Sequence, residues 1–206
     1  LTFRRHTRTG QPQVVAMRFL FYRRYSLSLA VAAHSGLARR ARLGWVRDRF
    51  APHLQATAKF KANEVLDKTV KAMESGARKN RIGTGIIVCV YRTLPDEMND
   101  EAVKLAEKYY GRGVVGIDLA GDESRFPTRK FAKYFKFARA RKIPITCHAG
   151  EAAGAESIRE AIELGAIRIG HGTRLFENQK VYQKVRREGI TLEVCLTSNV
   201  QTRVVK

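Results

Sequence analysis

The stretch Ile143–Glu151 constrains the fold more than any other part of the chain, because an apolar strand in it ends in polar residues. Its sequence is IPITCHAGE. Pro144 is tolerated at the start of a strand, and the β-favouring residues after it predict a buried strand. His148 ends the strand and Glu151 follows at a turn, so the pair could bind a divalent metal ion and move protons. Taken alone, the pattern also fits a buried histidine and a surface glutamate.

Two further strands end in the same way. VVGIDLAGDE ends in Gly121 and acidic residues, and AIRIGHG ends in His171 between two glycines. Polar groups at the ends of successive parallel strands meet at one edge of the sheet and form a site there. We therefore expect His148, Glu151, His171 and Gly121 to converge at the C-terminal edge of one sheet.

Helices and strands are predicted to alternate at least four times. The predicted helices run from Asn63 to about Gly76, from Asn99 or Asp100 to about Gly111, from Thr128 past Ala138, from about Ala155 to Leu164, and from about Glu177 to Glu188. Strands are predicted at Ile82–Tyr91, at Val114–Leu119, around His148 and His171, and at Ile190–Cys195. Right-handed crossovers of this kind produce a parallel α/β sheet. The pattern alone allows either an open doubly wound sheet or a closed barrel.

Composition bounds the possible partners. The chain has 39 basic and 19 acidic residues and a formal net charge of +20. Such a charge suggests contact with nucleic acid or an anionic surface, but we find no nucleic-acid-binding motif, so a solvated basic surface is the alternative. No apolar run approaches the roughly twenty residues of a membrane span. The three cysteines lie in apolar runs and are interpreted as reduced core residues.

The N-terminal segment, residues 1–43, differs from the rest. It shows no sustained helical or strand period, and residues 1–47 contain ten arginines and no acid. We expect it to pack poorly and to lie outside the domain at 44–206. A targeting peptide and an incorrectly assembled N-terminus both remain open. The strand expected after Trp45 is in doubt, because Arg47 and Asp48 would place charges inside it.

Five motifs carry a family resemblance. IDLAGDE, TCHAGE, RIGHGTRL and LEVCLTSNVQT, preceded by RFAPHL, occur in this order from about Trp45 to the end of the chain. Together they resemble the adenosine deaminase family of the metal-dependent amidohydrolase superfamily. The resemblance implies a (β/α)8 TIM-type barrel, of which this chain supplies the family's second to seventh strands and is therefore incomplete.

The resemblance also implies an activity and roles for the site residues. The family performs zinc-dependent hydrolytic deamination of adenosine and deoxyadenosine to inosine and ammonia, in cytoplasmic purine metabolism. His148 would be a zinc ligand, Glu151 would protonate the purine N1, and His171 would orient or deprotonate the attacking water. The backbone N–H of Gly121 would bind a purine nitrogen.

One departure from the family pattern places the activity of this chain in doubt. The family completes its zinc site with a His-x-His pair on the first strand and an aspartate on the eighth. The histidines here are residues 6, 34, 53, 148 and 171, and no two are two apart. One imidazole does not hold zinc tightly. We therefore expect an inactive fragment.

Two other readings remain open. A sister deaminase would act on adenine or on an adenosine monophosphate derivative, and a basic binding protein would have kept the fold without the chemistry. Ser198 and Asn199 fit loop capping as well as a role in the site.

Overall fold

The computed structural model describes residues 5–6, 12–13 and 44–201 of the chain. Two short antiparallel strands, β1 (Arg5–His6) and β2 (Pro12–Gln13), are the described parts of the N-terminal segment. The expectations for the rest of residues 1–43 lie outside the described residues.

Six further strands lie in one sheet in the order of the chain. They are β3 (Trp45–Phe50), β4 (Gly83–Tyr91), β5 (Val114–Ala120), β6 (Ile145–Ala149), β7 (Arg168–His171) and β8 (Thr191–Glu193). Pairing is parallel between β3 and β4, β5 and β6, β6 and β7, and β7 and β8. The helices are α1 (Pro52–Gln55), α2 (Ala62–Asn80), α3 (Asp96–Tyr109), α4 (Ala132–Ala140), α5 (Ala155–Leu164), α6 (Gln179–Arg187) and α7 (Leu196–Gln201). The predicted parallel α/β fold is confirmed.

Among the described residues, we find no helix that is both long enough and apolar enough to cross a membrane.

The chain divides into two compact units, and the first comprises Leu1–Val88 and Lys108–Val115. In this unit β3 forms although Asp48 and Arg49 in it are buried. Its pairing with β4 runs from Trp45↔Gly83 to Phe50↔Val88. The strand that Arg47 and Asp48 made doubtful in the sequence therefore forms and pairs along its whole length.

Helix α2 of this unit differs from its prediction at both ends. The side chain of Glu64 accepts the backbone N–H of Lys61 at 2.9 Å, so Lys61 and not Asn63 is the N-cap. The helix continues past Gly76 to Asn80. A glycine inside a helix costs only about 1 kcal/mol, and the buried face of α2 offsets that cost. Val65, Leu66, Val70 and Met73 form this buried face.

The second unit comprises Cys89–Glu107 and Gly116–Lys206. Helix α3 begins at Asp96, with two acidic residues in its first turn, which is favourable at a helix N-terminus. Asn99 is therefore not the cap that the sequence suggested. Its buried amide accepts the backbone N–H of Tyr91 at 2.9 Å and donates to the carbonyl of Tyr91 at 3.1 Å. Asn99 thus fixes the end of β4 to α3.

The later elements follow the predicted rhythm with shifted boundaries. The third predicted helix begins as a 3-10 turn at Thr128–Phe131 before α4. Helix α5 has the predicted bounds. Asn178 caps α6 by accepting two backbone N–H groups, so this helix starts after Glu177. Strand β8 is shorter than predicted by one residue at its start and two at its end, and α7 begins at Leu196.

Candidate active site

The site is built on the paired ends of β6 and β7 in the second unit. His148 is paired with Gly170, and Ala149 with His171. Both histidines are buried, and their ring centroids are 5.2 Å apart. Because parallel strands end at the same edge of a sheet, the two imidazoles face one region, as the sequence predicted.

Asp118 of β5 orients His148. Its Oδ2 lies 2.9 Å from Nδ1 of His148, and the Sγ of Cys89 donates to the same oxygen at 3.8 Å. Asp118 is completely buried. A carboxylate beside Nδ1 favours the tautomer with the proton on Nδ1, which leaves the lone pair on Nε2 for a metal ion. The sequence analysis did not single out Asp118, although an acid inside the apolar run VVGIDLA was a signal for it.

His171 is held between two polar side chains. Its Nδ1 lies 2.7 Å from Oδ1 of Asn199, and its Nε2 lies 3.5 Å from Oε2 of Glu151. An amide oxygen accepts only, so Nδ1 carries the proton and Nε2 is the atom that can take one up. His171 also has a φ of 65°, a left-handed conformation that is uncommon for residues other than glycine and is often found at functional sites.

Asn199 lies in α7 and is buried. Its contact with His171 gives it a place in the site, whereas the sequence left capping and a site role equally open. Ser198 lies beside it in the same helix. No sequence pattern could reveal this contact, because it joins residues 28 positions apart.

The loop after β6 carries Glu151, whose side chain is 21% exposed. Gly150 before it has a φ of 68°, and a Cβ at this position would lie 2.5 Å from Cδ1 of Ile158. Glycine is required there for both reasons. The carboxylate of Glu123 accepts the backbone N–H groups of residues 150 to 153. Glu123 is a second functional candidate that sequence reasoning missed.

A buried arginine supports the same strand end. Arg92 is 2% exposed, and its guanidinium donates to the carbonyl of His148 at 2.8 Å, to the carbonyl of Phe126 at 2.5 Å and to Oγ1 of Thr128 at 3.2 Å. Cys147 lies beside it. Burial raises the pKa of the Cys147 thiol to about 12, so this cysteine is a core residue and not a nucleophile.

Gly121 follows directly after β5, and Leu119 of this strand is paired with Cys147 of β6. Gly121 therefore lies at the same edge of the sheet as the two histidines. Its φ is 100°, and an added Cβ would lie 3.2 Å from the backbone nitrogen of Arg92 and 3.4 Å from the ring of Tyr91. Burial raises the pKa of Tyr91. A side chain at Gly121 would narrow the space beside this tyrosine.

The structure brings three predicted site residues together, namely His148, His171 and Glu151, and places Gly121 at the same edge. Within residues 44–201 we find no group of three or more His, Cys, Asp and Glu side chains arranged to hold a metal ion. His148 is the one residue that the sequence nominated as a zinc ligand, and its orientation fits that role.

Comparison with known proteins identifies the family. The sequence profile of the adenosine deaminase family matches residues 26–206. The chain belongs to the adenosine deaminase family. The matched range begins ahead of Trp45, where the resemblance visible in the motifs begins. The chain is accordingly of a hydrolase family, as the motifs implied.

A curated adenosine deaminase is similar to most of this chain. Over 162 residues the chain is 38% identical to the adenosine deaminase of Haemophilus ducreyi, covering 76% of this chain and 47% of the relative. The chain therefore spans about half the length of the curated relatives it matches.

Solved structures show the fold. An adenine deaminase from Arthrobacter aurescens and an N6-mAMP deaminase from Arabidopsis each superimpose with a TM-score of 0.77, at 24% and 22% identity, covering 87% of this chain and 55% of theirs. An amidohydrolase from Burkholderia ambifaria, solved with bound zinc, gives a TM-score of 0.74 at 21% identity and covers 82% of this chain and 47% of its own. The fold is thus an incomplete TIM-type (β/α)8 barrel and not the doubly wound sheet that the sequence pattern also allowed.

Proposed function

We propose that the protein to which this chain belongs catalyses the zinc-dependent hydrolytic deamination of adenosine and deoxyadenosine to inosine or deoxyinosine and ammonia, in purine metabolism. The observation that carries the proposal is the contact between Glu151 and Nε2 of His171, 3.5 Å apart, beside the oriented imidazole of His148. In the proposal, these three residues serve as the acid, the base and a metal ligand at one edge of the sheet.

His148 is the proposed zinc ligand of this chain. The Asp118 carboxylate at Nδ1 fits the role, because metal-binding histidines usually donate their other ring N–H to a carboxylate or carbonyl. When bound, zinc lowers the pKa of a coordinated water and makes hydroxide available near neutral pH. Support for zinc also comes from the superimposable amidohydrolase that was solved with it.

Two residues of this chain move protons in the proposed reaction. Glu151 protonates N1 of the purine, which makes C6 electrophilic. His171 takes a proton from the attacking water through Nε2, since its Nδ1 side is occupied by Asn199. In the proposal, hydroxide forms a bond to C6 while N1 takes the proton of Glu151. The amino group at C6 then takes up the proton held by His171, and the C6–N bond breaks to release ammonia. The proton of the new C6 hydroxyl returns to Glu151.

Gly121 is the proposed contact for the purine ring. A planar base can approach its backbone N–H closely because no Cβ intervenes. The main alternative within the same chemistry is a substrate of the adenine or N6-mAMP type, which the similarity to deaminases of those two compounds supports. The residues described here bind the base and leave the recognition of sugar or phosphate to other parts of the site.

We further propose that the 206-residue chain alone has little activity, because it supplies one of the imidazoles that a zinc site needs. The compartment that we propose is the cytoplasm. Its support is that the thiols of Cys89 and Cys147 are buried in the core, as expected for cysteines in a reducing environment.

The test is a substrate panel on two proteins. One is the 206-residue chain, and the other is the same chain extended at both ends by the corresponding segments of the Haemophilus ducreyi adenosine deaminase. With zinc present, the extended protein should release ammonia from adenosine and deoxyadenosine faster than it releases ammonia from adenine or methylamine from N6-mAMP. Turnover of adenine or N6-mAMP alone would move the assignment to the alternative substrate, and no turnover of any of the four would refute deamination.

A further inference from the structure

The side chain of Glu123 accepts four backbone hydrogen bonds from the loop after β6. Its Oε1 accepts the N–H of Gly150 at 2.7 Å and the hydroxyl of Ser157. Its Oε2 accepts the N–H groups of Glu151, Ala152 and Ala153 at 3.0, 2.9 and 3.0 Å. Both carboxylate oxygens are therefore directed at the loop that carries Glu151.

The arrangement is a carboxylate enclosed by converging backbone donors. Glu123 is 4% exposed, and hydrogen bonds to an ionised acceptor are stronger and shorter than those between neutral groups. The donors belong to four successive residues, so they fix the backbone dihedral angles of the whole turn. Since Glu151 is the second of these residues, the direction in which its side chain leaves the backbone depends on Glu123.

These hydrogen bonds between Glu123 and residues 150 to 153, called the clamp below, also join the ends of two strands. Glu123 follows β5, two residues after Gly121, whereas the loop follows β6. The turn that carries Glu123 has its own support: the side chain of Asp122 accepts the backbone N–H of Ser124 and pairs with Arg125 at 2.6 Å. The backbone around Glu123 is thus held in place beside the neighbouring loop.

We propose that Glu123 is a positioning residue for Glu151. Its carboxylate sets the distance between the Glu151 carboxylate and Nε2 of His171, and thereby keeps the acid of the deamination aligned with the substrate. The inference rests on the proposed function, because it assigns Glu123 a part in the same reaction. In the proposal, Glu123 does not bind substrate or metal ion, because both of its carboxylate oxygens accept hydrogen bonds from the protein.

A first test needs no variant. Ala152 is exposed and lies in a loop, so its amide would ordinarily exchange with solvent at the unprotected rate. If Glu123 clamps the loop, the amides of residues 150 to 153 should exchange at least about 100-fold more slowly than unprotected amides. This is measured by NMR on the 206-residue chain. Unprotected exchange at Ala152 and Ala153 in the wild-type chain would overturn the proposal.

The second test compares Glu123→Gln with the matched variant Glu156→Gln. Glutamine keeps the size but replaces one acceptor oxygen by an NH₂ donor, which must face at least one loop N–H whichever way the amide is turned. We expect exchange at the four loop amides to accelerate about 10- to 100-fold, the range for losing one or two charge-assisted hydrogen bonds. Glu156 is exposed and pairs with Arg159, so its variant should leave the loop unchanged.

The ¹³C signal of the Glu151 carboxyl separates positioning from a merely structural role. Glu123→Gln should shift and broaden this signal, and Glu123→Asp, which keeps the charge but shortens the reach, should restore it in part. A lower melting temperature with the Glu151 signal unmoved would show a structural role only and would refute the proposal. If Glu123→Gln does not fold, Ser157→Ala removes one donor from the clamp and should accelerate exchange mainly at Gly150. None of these signals depends on turnover. A failed deamination assay would therefore refute the proposed function without deciding whether Glu123 positions Glu151.

Discussion

Replacement of Arg92 by methionine should destabilise the chain strongly. The side chain is 2% exposed and donates to the carbonyls of Phe126 and His148 and to the hydroxyl of Thr128. Methionine keeps most of the apolar stem but leaves these three acceptors without their donor. A buried neutral acceptor left without its donor costs about 1–3 kcal/mol, and three such acceptors are left here. We take the lower end, because the variant no longer bears the desolvation cost of the guanidinium.

A loss of about 3 kcal/mol corresponds to a fall in melting temperature of roughly 6–12 °C for a chain of this size. The assay is thermal and urea unfolding of the 206-residue chain, followed by circular dichroism. Arg129→Met is the matched control, because Arg129 is 60% exposed and pairs with Glu160 and Glu163 on the surface; its cost should stay below about 1 kcal/mol. Equal stability of Arg92→Met and the wild-type chain would show that the buried guanidinium contributes nothing net.

Three further predictions concern single positions. Gly150→Ala should cost about 1–3 kcal/mol through its positive φ and its contact with Ile158. The cost should be lower in an Ile158→Ala background, which lacks the Cδ1 and Cγ1 atoms that lie 2.5 and 2.7 Å from the added Cβ, and an equal cost in both backgrounds would exclude the steric part. The pKa of the Cys147 thiol is raised to about 12, so this thiol should stay neutral from pH 7 to 10. Iodoacetamide should then modify the half-buried Cys195 but not Cys147. Early labelling of Cys147 would contradict its burial. Asp118→Asn should weaken zinc binding by the extended protein about 10- to 100-fold, measured by competition with a chelator, and unchanged affinity would show that Asp118 does not orient the zinc-binding histidine.

Local patterns and long-range contacts differ in how well the sequence predicted them. The strands that end in His148 and His171 were predictable, because apolar runs followed by glycine and polar residues mark strand ends. Helix α5 was predictable to the residue, since Gly165 ends it in the left-handed conformation. Asn63 was a wrong choice of N-cap, because Glu64 reaches back to Lys61 and competes successfully for the same helix end.

The residues that orient the site were not predictable in the same way. Asp118, Glu123 and Asn199 act on residues 27 to 34 positions away, or on a neighbouring strand in the case of Asp118. Such contacts depend on the register between strands, which composition and periodicity do not define. The motif IDLAGDE marked the segment of Asp118 and Glu123 as part of a family pattern, but it did not show which atoms their carboxylates contact.

The most direct test of the account is ammonia release from adenosine by the extended protein carrying Glu151→Gln. We predict that turnover falls by roughly two to four orders of magnitude, the range typical for loss of a general acid, while the zinc content stays at the wild-type level. Glu163→Gln, a change on the exposed face of α5, should leave both quantities unchanged. Wild-type turnover by Glu151→Gln would contradict the account, because it would show that Glu151 is not the acid of the reaction.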